Sequence, residues 1–213
     1  MSKEAKVLTG ILLLIVAAMI GLFVLANGGD KPADSSKADA SVLVRSDSNK
    51  TGTGKVQVVE FGDYQCPACG TAHPILKQLL GAYSDKISLV FRNYPLSQLH
   101  KNALNSAEAA EAAGAQGKYW EMHDKLYETQ AEWSNLADPS DKFAEYATAL
   151  GLDATKIKDA MKNQTYKAKI DKDVADGDTL KVNSTPTIYV DGVIMTAHDY
   201  STLRDAVEAA LKK

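Results

Sequence analysis

The chain has 213 residues, with 24 Lys and Arg against 27 Asp and Glu, for a formal net charge of −3. Without a basic excess it lacks the electrostatic footprint of a nucleic-acid binder, and no nucleic-acid partner is expected. Its only two cysteines stand three positions apart in FGDYQCPACG, residues 61 to 70.

Val7 to Ala26 is a run of 20 residues without a charge. At about 1.5 Å per residue it reaches roughly 30 Å, the thickness of a bilayer's hydrocarbon core. Lys3 and Lys6 precede it, while Asp30, Asp34 and Asp39 offset Lys31 and Lys37 beyond it. The basic bias places the amino terminus in the cytoplasm and everything after residue 27 outside. Two readings stay open: a retained single-pass anchor over 1–26, or a signal cut after the small residues Val24 and Ala26. No Cys follows the run, so a lipidated amino terminus is not expected. Residues 27–40 have the composition of a solvated, flexible linker with a reach of roughly 20 Å. Residues 41–213 then fit one domain with a sizeable core.

In that domain, Val42 to Arg45 reads as a short edge strand and Lys55 to Phe61 as a strand buried on both faces. A helix follows from Cys66 to about Tyr83, with Pro67 at its first position, where a missing N–H costs nothing. Ile87 to Asn93 is the next strand, completing a βαβ unit. The segments that follow read as helices: His100 to Ala113 ending at Gly114, Lys118 to Gln130, Pro139 to Leu150 closed by Gly151, one opened by Asp153, and a weaker one over 163–180. Thr187 to Val190, a turn at Asp191-Gly192 and Val193 to Thr196 form a hairpin. Leu203, Ala206, Val207, Ala210 and Leu211 mark a final helix lying on a sheet. With the insert, about 97–181, set aside, the order is βαβ then ββα, the α/β order of the thioredoxin fold.

Several chemistries could employ the cysteine pair. As a structural staple it would be poor, since a four-residue loop yields only about 1.8 kcal/mol in the chain-entropy model. As half of a zinc site it lacks a second C-x-x-C, and His73, His100, His123 and His198 lack the H-x(3–5)-H spacing, so no metal ligand set is expected. Redox chemistry fits better. Cys66 falls where a buried strand meets a helix, against the free N–H groups of the first turn. The helix terminus alone is worth at most about 2 kcal/mol, which would bring a thiol from about 8.5 to about 7. Cys66 is therefore the expected nucleophile, and Cys69, one turn inside, the resolving thiol.

VVEFGDYQCPACG, NYPL, AEAAGAQGKYWEMHDKLYETQ and NSTPTIYVDG, in that order, resemble the DsbA-like family of exported thiol:disulfide oxidoreductases over residues 42–213. The resemblance implies a thioredoxin fold with a helical insert, a surface-exposed nucleophile at Cys66, a resolving Cys69, and disulfide transfer to newly exported, unfolded proteins. It further implies reoxidation by a membrane-embedded thiol-oxidising partner, a monomer, and no cofactor beyond the Cys66–Cys69 disulfide. Thr185-Pro186 matches the loop whose cis-proline faces the cysteines; Thr185 would present its backbone to an extended substrate segment. Glu60 matches a carboxylate beneath the active site. There it is either a buried group with a raised pKa suited to take the Cys69 proton, or a strand-end carboxylate exposed or paired with a lysine. Asp63 reads as a turn residue, and Tyr119, Trp120, Met122 and Tyr127 as core rather than substrate surface. The chain departs from the family pattern at Pro67-Ala68, where no His stands to stabilise a thiolate. The direction of exchange therefore stays open between oxidase and reductase or isomerase, with a zinc module or a redox-inert binding domain as other classes.

Overall fold

A computed structural model describes residues 37–213. The apolar run Val7–Ala26 and linker residues 27–36 lie outside the described residues. Among those described, no helix is long and apolar enough to cross a membrane.

Two short elements come first: helix α1 (Ala40–Leu43) and strand β1 (Asn49–Thr51). The βαβ unit follows as β2 (Val56–Gly62), α2 (Pro67–Tyr83) and β3 (Ile87–Asn93). The insert is helical throughout: α3 (Ala103–Gly114), α4 (Tyr119–Glu128), α5 (Gln130–Trp133), α6 (Ser140–Ala149), α7 (Ala154–Asn163) and α8 (Lys167–Thr179). Strands β4 (Thr187–Val190) and β5 (Val193–Ile194) and helix α9 (Tyr200–Leu211) close the chain.

The sheet order is β1-β3-β2-β4-β5, with β2 and β3 parallel and the other neighbours antiparallel. The β-branched run of β2 takes the centre, since a strand without polar alternation is stable only when both faces are covered. Its alternate residues divide two cores. Val56 and Val58 join Leu76, Leu79, Leu203 and Val207 under α2 and α9, whereas Val59 and Phe61 join Leu43, Val90, Tyr94 and Tyr189 on the other face. A third cluster fills the insert around Met122, Leu126, Trp133, Phe143 and Ile157.

One expected element is different. Val42 to Arg45 does not form the edge strand. Asp39 caps a helical turn there by accepting from Ser41 N at 2.8 Å, and Leu43 is buried. The carbonyls of Val42 and Leu43 accept from Nη1 of Arg92 at 2.8 and 2.7 Å, and are thus unavailable to a sheet ladder. Burial and these long-range hydrogen bonds outweigh the modest β preference of two valines. The edge position goes to Asn49–Thr51, paired with Leu89–Phe91. Residues 37 and 38, read as linker, touch the hairpin turn: Lys37 pairs with Asp191 at 2.5 Å and Ala38 N donates to Gly192 O at 2.8 Å.

The insert is tied to the sheet by a buried ionic network. Arg92, fully buried on β3, donates to Asp173 at 2.7 Å and to Asp176, both on α8, while Arg45 also reaches Asp176. Burying a guanidinium is tolerable only with its donors so occupied.

Candidate active site

Cys66 is the N-cap of α2, its backbone extended at φ −68°, ψ 122°, with Pro67 opening the first turn as the sequence predicts. Both cysteines are free thiols. Cys66 Sγ lies 3.3 Å from the Thr185 carbonyl, to which the thiol donates. The Thr185-Pro186 bond is cis, and the loop before β4 faces the C-x-x-C pair. These residues, 119 positions apart in the chain, meet because β4 pairs with β2, the strand feeding α2.

The surface-exposed nucleophile implied by the resemblance is not observed. Cys66 keeps only 7% of its surface and Cys69 none, while Pro67 and Ala68 between them are exposed. The Thr185-Pro186 loop covers the sulfur that a bare helix terminus would leave open.

Electrostatics separates the two thiols. Cys66 is held down at about 5, chiefly by the hydrogen bond from the Cys69 thiol. The Thr185 side chain and the backbone N–H groups of Cys69 and Ala68 add to this, against the opposing effect of burial. Thr185 Oγ1 is buried with no partner among the described residues, so its hydroxyl is free to turn to an ionised sulfur. The helix terminus alone suggested about 7; the further lowering comes from donors that only the folded chain assembles. Cys69 moves the opposite way, raised far above an ordinary thiol first by burial and then by its bond to Cys66.

Glu60 resolves to the buried alternative. It is 2% exposed in the centre of β2, between Phe91 and Ile188, and shares a strand face with Val56 and Val58, against α2. Burial, then the nearby Cys66 charge, push its carboxyl up to about 8, and Oε1 has no partner among the described residues. Glycine at 62 is needed here: a Cβ there would come within 2.4 Å of the Phe91 ring and 3.1 Å of Glu60 Oε1.

Asp63 is a turn residue, and more. It accepts from Gln65 N at 2.8 Å, Leu96 N at 3.0 Å and His100 Nδ1 at 2.7 Å, fixing the loop ahead of Cys66. Tyr119, Met122 and Tyr127 are buried as core, and Trp120 is half-buried. Gln130 is a site residue that the sequence does not point to. Its Nε2 donates to Tyr64 O at 2.7 Å and Cys66 O at 2.9 Å, clamping the active-site loop from the insert. It stands inside a family-like motif, but a glutamine at a helix end carries no local signal of such a role.

A two-thiol centre at a helix N-terminus, facing a cis-proline loop on a five-stranded sheet with a helical insert, defines a redox-type thioredoxin fold. A thioredoxin family model matches residues 52–209. The chain is 32% identical over 171 residues to the probable disulfide bond formation protein D of Bacillus cereus, covering 74% of this chain and 75% of that protein. It is 41% identical over 137 residues to the Na(+)/H(+) antiporter NhaA 1 of Salinispora arenicola, covering 64% of this chain but only 20% of the antiporter. The chain thus spans about a fifth of the length of the antiporters it matches. Among solved structures, BdbD from Bacillus subtilis superposes with a TM-score of 0.71 at 24% identity, over 78% of this chain and 94% of that one. A thioredoxin-like oxidoreductase from Silicibacter pomeroyi gives 0.69 at 29%, over 83% and 99%. The chain belongs to the thioredoxin family.

Proposed function

We propose that this protein exchanges thiols and disulfides, and that it works as an oxidase, forming disulfides in unfolded exported proteins. The observation that carries the direction is the Cys66 sulfur held near 5 beside a neutral Cys69. An anion so stabilised favours the reduced form of the centre, and a centre stable when reduced passes its disulfide on.

A substrate thiolate attacks Cys66 of the Cys66–Cys69 disulfide. The S–S bond breaks, a mixed disulfide forms, and Cys69 leaves with the electron pair. As a buried anion Cys69 is a poor leaving group, and the protonated Glu60 beneath it supplies the proton. A second substrate thiolate then attacks the substrate sulfur of the mixed disulfide. Cys66 departs as a stable thiolate, so two substrate thiols become one disulfide and the enzyme pair is reduced. In reverse, the mixed disulfide removes the Cys66 charge, one of the two causes raising Glu60, and the carboxylate becomes able to take the Cys69 proton. Thr185 and Pro186 would hold the substrate segment by backbone pairing, as an added strand.

The basic bias around Val7–Ala26 supports a domain tethered outside the cytoplasmic membrane, where a membrane-embedded thiol oxidant would regenerate the disulfide. A monomer suffices for this scheme, and it calls for no cofactor beyond the cysteine pair. The test incubates the oxidised full chain with a reduced, unfolded disulfide protein. Stoichiometric disulfide formation is expected; activity only as a disulfide reductant would reverse the direction.

A further inference from the structure

Outside the cysteine centre, a second cluster of chemically able side chains sits between α2 and α4. One ring nitrogen each of His73 and His123 and a carboxylate oxygen of Asp124 all lie within 4.8 Å of one another. They line a cavity of about 220 Å³ together with Lys77, Leu89 and Trp120. His73, one turn beyond Cys69, is 7% exposed, and its Nε2 is buried with no hydrogen-bond partner among the described residues. That nitrogen stands 3.7 Å from Asp124 Oδ1, too far for a hydrogen bond and near enough to share a third atom between them.

His123 is prepared for the same atom. Its Nδ1 is 3.1 Å from the Tyr64 hydroxyl, which lies 2.9 Å from that of Tyr119. With Nδ1–H donating to Tyr64, the lone pair sits on Nε2. In that tautomer the bond is the outer-shell contact that orients a metal-ligating histidine. Edge-to-face contacts with Tyr64, Phe91, Trp120 and Tyr127 hold the ring further.

We propose that His73, His123 and Asp124 form a binding site for a late first-row divalent transition ion of the Zn2+ class, which pins the redox helix α2 to the insert helix α4. Two imidazoles and one carboxylate are donors of that class, and the cavity leaves space for a water as fourth ligand. Ligand atoms about 2.1 Å from a tetrahedral ion are about 3.4 Å apart. The atoms, now up to 4.8 Å apart, must therefore close on the ion; Asp124, a third exposed, is the freest of the three to move. Asp124 Oδ2 already holds Lys77 Nζ at 2.7 Å, which leaves Oδ1 for the ion; Lys77 also pairs with Glu128 at 2.8 Å, so its charge has another partner. His73 and His123 lie 50 residues apart on two helices, a separation that neither a C-x-x-C pair nor a local H-x(3–5)-H spacing reveals.

The test uses the full chain carrying Cys66→Ser and Cys69→Ser, so that thiols cannot hold the metal and the outcome does not depend on redox activity. Calorimetric titration with Zn2+ is expected to show one ion per chain, and Co2+ to give a four-coordinate spectrum without a thiolate charge-transfer band. Zn2+ should also raise the melting temperature. Asp124→Asn and His73→Gln, added singly, should each weaken binding at least tenfold and remove the thermal shift. Asp124→Asn is the surface control should His73→Gln fail to fold. Loss of all binding with the cysteines, or undiminished binding in Asp124→Asn, would overturn the assignment.

Discussion

Ionisation of Cys66 sets the reactivity and the potential of the centre together. Its value near 5 lies below the 9.0 of an unperturbed thiol, so the ionised sulfur stabilises the reduced fold. That contribution is complete above about pH 9, declines as the pH falls, and is gone below about 5. At pH 7, two pH units above the folded value, it is worth at most about 2.7 kcal/mol at 1.36 kcal/mol per unit, because water on the Pro67–Ala68 side screens the charge. This corresponds to at most about 60 mV in the potential. The assay follows alkylation of the reduced chain by iodoacetamide from pH 3 to 9 and, separately, equilibration with glutathione buffers. Cys66 should titrate with a midpoint near 5. The largest single cause is the Cys69 hydrogen bond, and a bond to a charged group is worth about 1.5 kcal/mol or more. Cys69→Ala should therefore raise the midpoint by about one pH unit or more. A midpoint of 8 or above in the unsubstituted chain, or no change in Cys69→Ala, would refute the reasoning.

Glu60→Gln keeps the shape and removes the titrating proton; disulfide transfer should slow by about 100-fold at pH 7, with Cys66 alkylation little changed. The same variant should also gain stability over the native chain as the pH rises from about 4.5 to 8, the window in which the unfolded chain has released the Glu60 proton and the buried carboxyl still holds it; urea titrations at pH 5 and 9 should show the gap widen. Gln130→Ala removes donors from two carbonyls, at about 1 kcal/mol each, and should lower the melting temperature by about 4–8 °C. Arg92→Met leaves Asp173 in the interior without a cationic partner and Asp176 with Arg45 alone, and should cost about 3–5 kcal/mol in chemical denaturation, or prevent folding.

Much of this molecule was legible locally. The run KVQVVEF could only be a strand covered on both faces, and Pro67 behind Cys66 could only open a helix, because these choices depend on neighbouring side chains and backbone freedom. Strands Ile87–Asn93 and Thr187–Val190 appear with the expected ends for the same reason. Val42 to Arg45 departs from the expected strand because its conformation depends on Arg92, about 50 positions away, whose guanidinium takes the carbonyls a strand would need.

The site divides in the same way. A thiol at a helix N-terminus is a local fact, visible in C-P-A-C, and so is its tendency to ionise. The extent of that ionisation, the burial of Cys66 under Thr185-Pro186, the choice between two environments for Glu60 and the clamp from Gln130 were settled by tertiary structure. So was the meeting of His73 with His123 and Asp124. Each requires donors, charges or apolar cover from chain segments far apart in sequence, and only the packed sheet and insert bring these within the few ångströms over which hydrogen bonds and desolvation act.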